Sequence, residues 1–147
     1  MKALRLKSLS PMSDKSRTVL LIDDNDIDLK INSKIINLSN LFDEIITCQS
    51  GEDALAYLKR ALENKGKLPD LILLDIQMPD IDGFEFMELY KKLPKKITDQ
   101  CLIVMLSSTL DFGDIKKAEA NRHVVELLKK PLFPDELKDI LLKYFSR

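Results

Sequence analysis

The chain has few of the residues that metal, redox and membrane chemistry draw on. Its two cysteines, Cys48 and Cys101, form no C-x-x-C pair and join no Cys/His cluster, which argues against a zinc or redox site. Both fall in apolar, strand-like runs and read as small buried hydrophobes. A single histidine, His123, cannot build a metal site. Neither sign of charge is in excess: 23 Lys and Arg against 24 Asp and Glu leave a formal net charge of -1. Nothing electrostatic therefore points to nucleic acid or an anionic membrane. No apolar run is long enough to cross a bilayer. These absences leave a cytoplasmic protein as the expectation. Its 147 residues, 45% hydrophobic and 32% charged, suffice for one packed core.

What the chain does have begins at Thr18. Residues 1–17 are basic at the start but too broken in apolar content for a signal peptide, and are expected to be a flexible lead-in. From there to residue 147, strand-like and helix-like patterns alternate five times. The strands are expected at Thr18–Asp23, Glu44–Gln49, Leu71–Asp75, Leu102–Leu106 and Val124–Leu128. Between them, Ile27, Ile31, Ile35 and Leu38 form a helical stripe. Ser50 with Asp53 resembles a capping box opening a helix that carries Leu55, Leu58 and Leu62. Phe86, Leu89, Tyr90 and Leu93 make a third stripe. Asp111 to Asn121 offers little apolar surface, so a fourth helix there should be weakly held. Pro134, Asp135 and Glu136 open the last helix, whose buried face is Leu137, Ile140, Leu141, Tyr144 and Phe145. Regular alternation with near-continuous apolar strands predicts an α/β fold, a parallel sheet covered on both faces.

The strand ends carry the chemistry. Leu71-Ile72-Leu73-Leu74 runs into Asp75, with Met78-Pro79 and Asp82-Gly83 just beyond, and Val19-Leu20-Leu21-Ile22 runs into Asp23-Asp24. If these strands lie side by side, three carboxylates share one pocket. Two carboxylates about 5 Å apart repel by roughly 3 kcal/mol at an effective dielectric near 20, so a cation is called for. Oxygen-only ligands suit Mg²⁺ better than zinc or copper. A carboxylate can also attack phosphorus, a step catalysed mostly by positioning and charge neutralisation. The fourth strand ends in Ser107-Ser108-Thr109, offering hydroxyls to a phosphoryl oxygen, and Ser107 directly follows the apolar run. The fifth ends in Lys129-Lys130-Pro131, where a lysine would be a point charge aimed at phosphate. Taken singly, each residue has a plainer role: Asp23 or Asp24 a helix cap, Asp75 a turn former, Lys130 a surface charge. Gly83 reads as a flexible turn into the third helix.

Asp23-Asp24, Asp75 before Met78-Pro79 and Asp82-Gly83, Ser107, and Lys130-Pro131 together resemble the receiver domain of bacterial two-component response regulators. The resemblance spans roughly residues 18 to 146. It implies a doubly wound five-stranded parallel sheet in the order 2-1-3-4-5, the flavodoxin-like (βα)5 receiver fold. By position, Asp75 resembles the phosphoacceptor and Asp24 a direct Mg²⁺ ligand, with Asp23 acting mainly through metal-bound water. The backbone carbonyl of Gln77 resembles the remaining ligand, Ser107 the switch hydroxyl and Lys130 the phosphate-binding lysine. The implied partners are a histidine kinase or histidine phosphotransfer protein and a downstream protein. The face formed by the fourth helix, fifth strand and fifth helix is implied to meet them. Such a domain catalyses only its own phosphorylation and dephosphorylation, and the chain reads as the stand-alone type. One departure is Leu127, where the family often carries an aromatic.

Three rival functions match parts of the pattern. An aspartate-nucleophile phosphatase of the haloacid-dehalogenase type needs a second Asp where this chain has Gln77. A flavin-binding module needs a phosphate-cradling loop where this chain has Asp23-Asp24-Asn25-Asp26. A phosphorylation-independent interaction module on the same fold is left open by Leu127.

Overall fold

The apolar runs become five parallel strands, and the two parities of each run face opposite layers. The computed structural model describes residues 16–64 and 67–145. The strands are β1 (Thr18–Ile22), β2 (Glu44–Cys48), β3 (Leu71–Asp75), β4 (Leu102–Ser107) and β5 (Val124–Lys129). They pair in the order β2-β1-β3-β4-β5, all parallel, as the resemblance implied. The helices are α1 (Asp26–Ser39), α2 (Gly51–Glu63), α3 (Gly83–Tyr90), α4 (Lys95–Gln100), α5 (Phe112–Ala120) and α6 (Pro134–Tyr144). α4 was not expected; it follows Pro94 and buries only Ile97. The expected fourth and fifth helices are therefore α5 and α6.

Side chains alternate across a strand, so each sheet face receives its own core. Leu20, Ile22, Ile72, Leu74, Ile103 and Met105 pack under α2, α3 and α5. Val19, Leu21, Leu71, Leu73, Val104 and Leu106 pack under α1 and α6. The central strands β1 and β3 are buried along their whole length, which accounts for their unbroken apolar runs.

The α1 face differs from the expected stripe. Ile27, Ile31 and Leu38 are 67%, 46% and 70% exposed, while Leu29, Asn32 and Ile36 face the core. The cap of α1 is Asn25, whose side chain accepts the Ile27 and Asp28 N–H groups, so Asp23 and Asp24 are free of that duty. Ser50 caps α2 by accepting the Asp53 N–H at 3.0 Å. Tyr144, expected in the buried face of the last helix, is exposed and donates its hydroxyl to Glu126 at 3.2 Å. α5 has the small apolar face its composition suggested: Ala118 is its one buried residue, and Phe112 is 71% exposed.

Of the expected lead-in, residues 1–15 lie outside the described residues. Arg17 belongs with the sheet: it is buried, its N–H donates to Asp43 Oδ2 at 2.6 Å, and its guanidinium lies 4.8 Å from the centre of the Phe145 ring. Both cysteines are free thiols, and Cys101 sits just before β4 rather than on it. No helix among the described residues is long and apolar enough to cross a membrane.

Candidate functional site

Strand register brings the expected site side chains to one edge. Ile22 pairs with Leu74, so Asp23 and Asp75 each follow a paired position on adjacent strands. Asp75 pairs with Leu106, which sets Ser107 one residue further along β4. Ser107 pairs with Lys129, and its carbonyl accepts the Lys130 N–H at 2.8 Å. The expected convergence is present: one carboxylate oxygen from each of Asp23, Asp24 and Asp75 lies within 4.8 Å of the others. Asp23 and Asp75 are buried and Asp24 is exposed, giving a cluster open on one side.

Lys130 closes the other side. Its Nζ lies 2.8 Å from Asp23 Oδ2, 3.1 Å from Asp75 Oδ1 and 2.9 Å from Asp28 Oδ2. Asp28, on the first turn of α1, was not singled out in the sequence. The Lys130–Pro131 peptide bond is cis.

The electrostatics follow from burial and like charge. Desolvation pushes the Asp75 carboxyl up to about 6, with the Asp23 charge adding to the rise and Lys130 opposing it. For Lys130, burial favours the neutral amine. Its hydrogen bonds to Asp23 and Asp28 and the Asp75 charge outweigh that and hold its pKa above the usual lysine value. Ionised Asp75 is thus under-stabilised by Lys130 alone, a condition that a further cation would relieve.

Ser107 stands apart from this knot, while Gln77 meets it through its backbone. Ser107 is fully buried at the end of β4, whereas Ser108 is exposed, which favours Ser107 as the inward hydroxyl. Its Oγ donates to the Thr109 carbonyl and accepts the Thr109 N–H at 3.3 Å, so it is engaged by the loop rather than by Asp75. Gln77 is exposed, and its backbone hydrogen bond to Asp75 favours the ionised carboxylate.

The loop after β3 is built around close approach. Gly83 has no positive φ, so turn flexibility is not its role. A Cβ there would come within 2.8 Å of the Asp75 carbonyl oxygen. Asp82 caps α3 reciprocally with Glu85. Asp80, at φ 67, takes the left-handed turn position, which nothing in the residue pattern announced. The three carboxylates of the acidic cluster offer oxygen ligands, the donor set of a hard cation such as Mg²⁺.

Comparison with known proteins agrees with this geometry. Residues 19–142 match the family model for the response regulator receiver domain. The chain is 31% identical over 141 residues to the signal transduction histidine-protein kinase BarA of Escherichia coli, a match covering 93% of this chain and 14% of BarA. It is 32% identical over 126 residues to hybrid signal transduction histidine kinase L of Dictyostelium discoideum, covering 86% of this chain and 7% of that kinase. The chain therefore spans a small part of these curated relatives. A two component response regulator from Cytophaga hutchinsonii superposes with a TM-score of 0.82 at 35% identity, covering 88% of this chain and 96% of that one. A response regulator receiver protein from Dyadobacter fermentans gives 0.81 at 36% identity, covering 90% and 100%.

Proposed function

The chain belongs to the response regulator receiver domain family, and from that premise we propose that it is a phosphoryl-accepting switch with Asp75 as acceptor. The observation that carries this reading is the meeting of Asp23, Asp24, Asp75 and Lys130 at one sheet edge. The donor is a phosphohistidine on a histidine kinase or phosphotransfer protein, and the setting is the cytoplasm. A carboxylate oxygen of Asp75 attacks phosphorus in line, the P–N bond breaks, and the imidazole leaves with the electron pair. Asp23, Asp24, the Asp75 carboxylate and the Gln77 carbonyl would hold Mg²⁺. Bound there, the ion neutralises charge on the phosphoryl oxygens. Lys130 adds a directed ammonium on the opposite side.

The product is read through β4 and α5. Ser107 leaves its Thr109 partner for a phosphoryl oxygen, drawing the loop inward and shifting α5 against β5. The weak burial of α5 supports its role as the movable element. Moving a population from 1:99 to 99:1 takes roughly 5.5 kcal/mol, within reach of several new charge-assisted bonds. The α5–β5–α6 face then meets a downstream protein. Ile27 and Ile31, exposed on α1, offer apolar contact to a histidine-bearing partner.

Intact mass after incubation with acetyl phosphate tests the reading. One phosphoryl group should be gained with Mg²⁺, and none with chelator or with Asp75→Asn. A wild-type chain that stays unmodified with both acetyl phosphate and a phosphorylated kinase would favour a phosphorylation-independent interaction module.

A further inference from the structure

Lys130 is gripped by three carboxylates, and one of them lies outside the acidic cluster. An ammonium has three protons, and Asp23, Asp28 and Asp75 each stand within hydrogen-bond distance of it. Asp23 and Asp75 are the oxygens that a divalent cation would also take. Asp28 is not among them; it sits on the first turn of α1 with its side chain 36% exposed. One helical turn further along the same face, the buried Asn32 accepts the Leu132 N–H at 3.4 Å. α1 thus holds the lysine-bearing loop on both sides of Pro131: Asp28 by the side chain before it, Asn32 by the backbone after it.

We propose that Asp28 is a positioning residue that retains Lys130 in the pocket when a divalent cation occupies Asp23 and Asp75, with Asn32 steadying the loop. The proposal rests on the acceptor reading above. Two cations cannot share Asp23 and Asp75 on equal terms. A divalent charge among these oxygens repels the ammonium, whose flexible four-carbon stem lets it swing to solvent. Asp28 gives the ammonium a carboxylate that the cluster does not need, and one charge-assisted hydrogen bond survives cation binding. The lysine then stands ready for a phosphoryl oxygen instead of having to be recovered from water. Without Asp28, cation binding would strand the ammonium, so both cation affinity and phosphoryl transfer should suffer.

The test is a double-mutant cycle on the full chain, with Asp28→Ala, Asp28→Glu, Lys130→Ala and Asp28→Ala/Lys130→Ala. Mg²⁺ affinity of the unmodified protein is read by calorimetry, and the rate of labelling by acetyl phosphate by intact mass. Thermal melts confirm that each variant folds. Asp28→Ala should weaken Mg²⁺ binding and slow labelling by about tenfold each, as expected for directly interacting groups. Asp28→Glu should recover most of both. In the Lys130→Ala background the same change should leave the labelling rate unaltered and weaken Mg²⁺ binding by no more than about threefold, the residue of a lost charge. Equal losses with and without Lys130 would overturn the proposal, as would an Asp28→Ala variant that binds Mg²⁺ like wild type. The expected Mg²⁺ cycle in a wild-type chain that accepts no phosphoryl group would support the grip on Lys130 and overturn the acceptor reading instead.

Discussion

Gly83 lies against the backbone of Asp75: a Cβ on the glycine would stand 2.8 Å from the Asp75 carbonyl oxygen and 2.9 Å from Ile76 Cα. The Gly83 N–H also donates to the Ile76 carbonyl at 2.7 Å, so the N-terminus of α3 is seated on the end of β3. Both neighbours are backbone and have no rotamer by which to retreat. Gly83→Ala should therefore destabilise the fold by about 1–3 kcal/mol, the range for overpacking a close contact. It should also slow acetyl phosphate labelling, because relief must part the start of α3 from the backbone of Asp75 and Ile76. Urea denaturation and labelling kinetics on the same preparation check both, and an unchanged midpoint would show that the contact relaxes freely.

Asp75 carries the cost of its burial. Its carboxyl is raised from 3.8 to about 6 by desolvation first and by the Asp23 charge second. Between those values the folded chain binds more protons than the unfolded chain, so its contribution to stability is present at low pH and lost as pH rises through about 6. Asp75→Asn removes the charge while keeping the shape. In chelator at pH well above 6, the variant should be more stable than wild type by about 1–3 kcal/mol, since each tenfold gain in proton affinity on folding corresponds to about 1.4 kcal/mol. The advantage should shrink toward zero near pH 4. Urea midpoints across that window decide it; an advantage that grows on acidification would reverse the sign.

The same carboxyl should make cation binding at the proposed site pH-dependent. Mg²⁺ needs the ionised form, so binding at pH 6 should release about half a proton and binding at pH 8 almost none. Affinity should rise from pH 5 to pH 7 and then level. Calorimetry in two buffers of different ionisation enthalpy counts the protons directly. A pH-independent affinity over that span would mean that Asp75 is already ionised throughout.

The true inner face of α1 can be tested against the face its spacing suggested. Ile36 is fully buried, whereas Ile31 is 46% exposed. Ile36→Ala should cost about 2–5 kcal/mol, the range for emptying a packed site. Ile31→Ala should stay within about 0.5 kcal/mol. Comparable losses at the two positions would contradict the observed rotation of the helix.

The mismatch at α1 shows what a sequence does and does not carry. Ile27, Ile31, Ile35 and Leu38 keep helical spacing, but the buried face is Leu29, Asn32 and Ile36. Its centre is an asparagine, present for the Leu132 N–H, so the inward face looks polar along the chain. Asp28 was equally hidden, because its partner Lys130 lies 102 residues away and meets it only through the crossing of α1 with the β5–α6 connection. α4, six residues long, is too short to show a period. A register shift in the β4–β5 pairing near Ile103 and Val104 leaves no mark in the apolar run either. The strands and the acidic cluster were legible for the opposite reason. Each depends on a local contrast, an unbroken apolar run ending abruptly in a carboxylate, and parallel packing then brings the ends together.

Leu127 stands beside space that a larger side chain could use. A cavity of about 320 Å³ lies between α5 and β5, lined by Leu110, Ile115, Ala118, Val124 and Leu127 among others. Leu127 is itself half-buried, and α5 above it buries only Ala118. Filling part of this solvent-open cleft adds apolar contact without the strain of forcing a packed core, and cavity-filling changes commonly add about 0.5–2 kcal/mol. Leu127→Phe should therefore leave stability unchanged or raise it within that range. A tightly packed site would instead lose about 1–3 kcal/mol. The ring should also hold α5 down, so amide hydrogen exchange across residues 112–120 should slow in the variant while β1 and β3 remain unaffected. Slower exchange confined to α5 would show that filling the space under that helix tightens its hold on β5. Faster exchange there, with lower stability, would show that the cavity closes around leucine and rejects a ring.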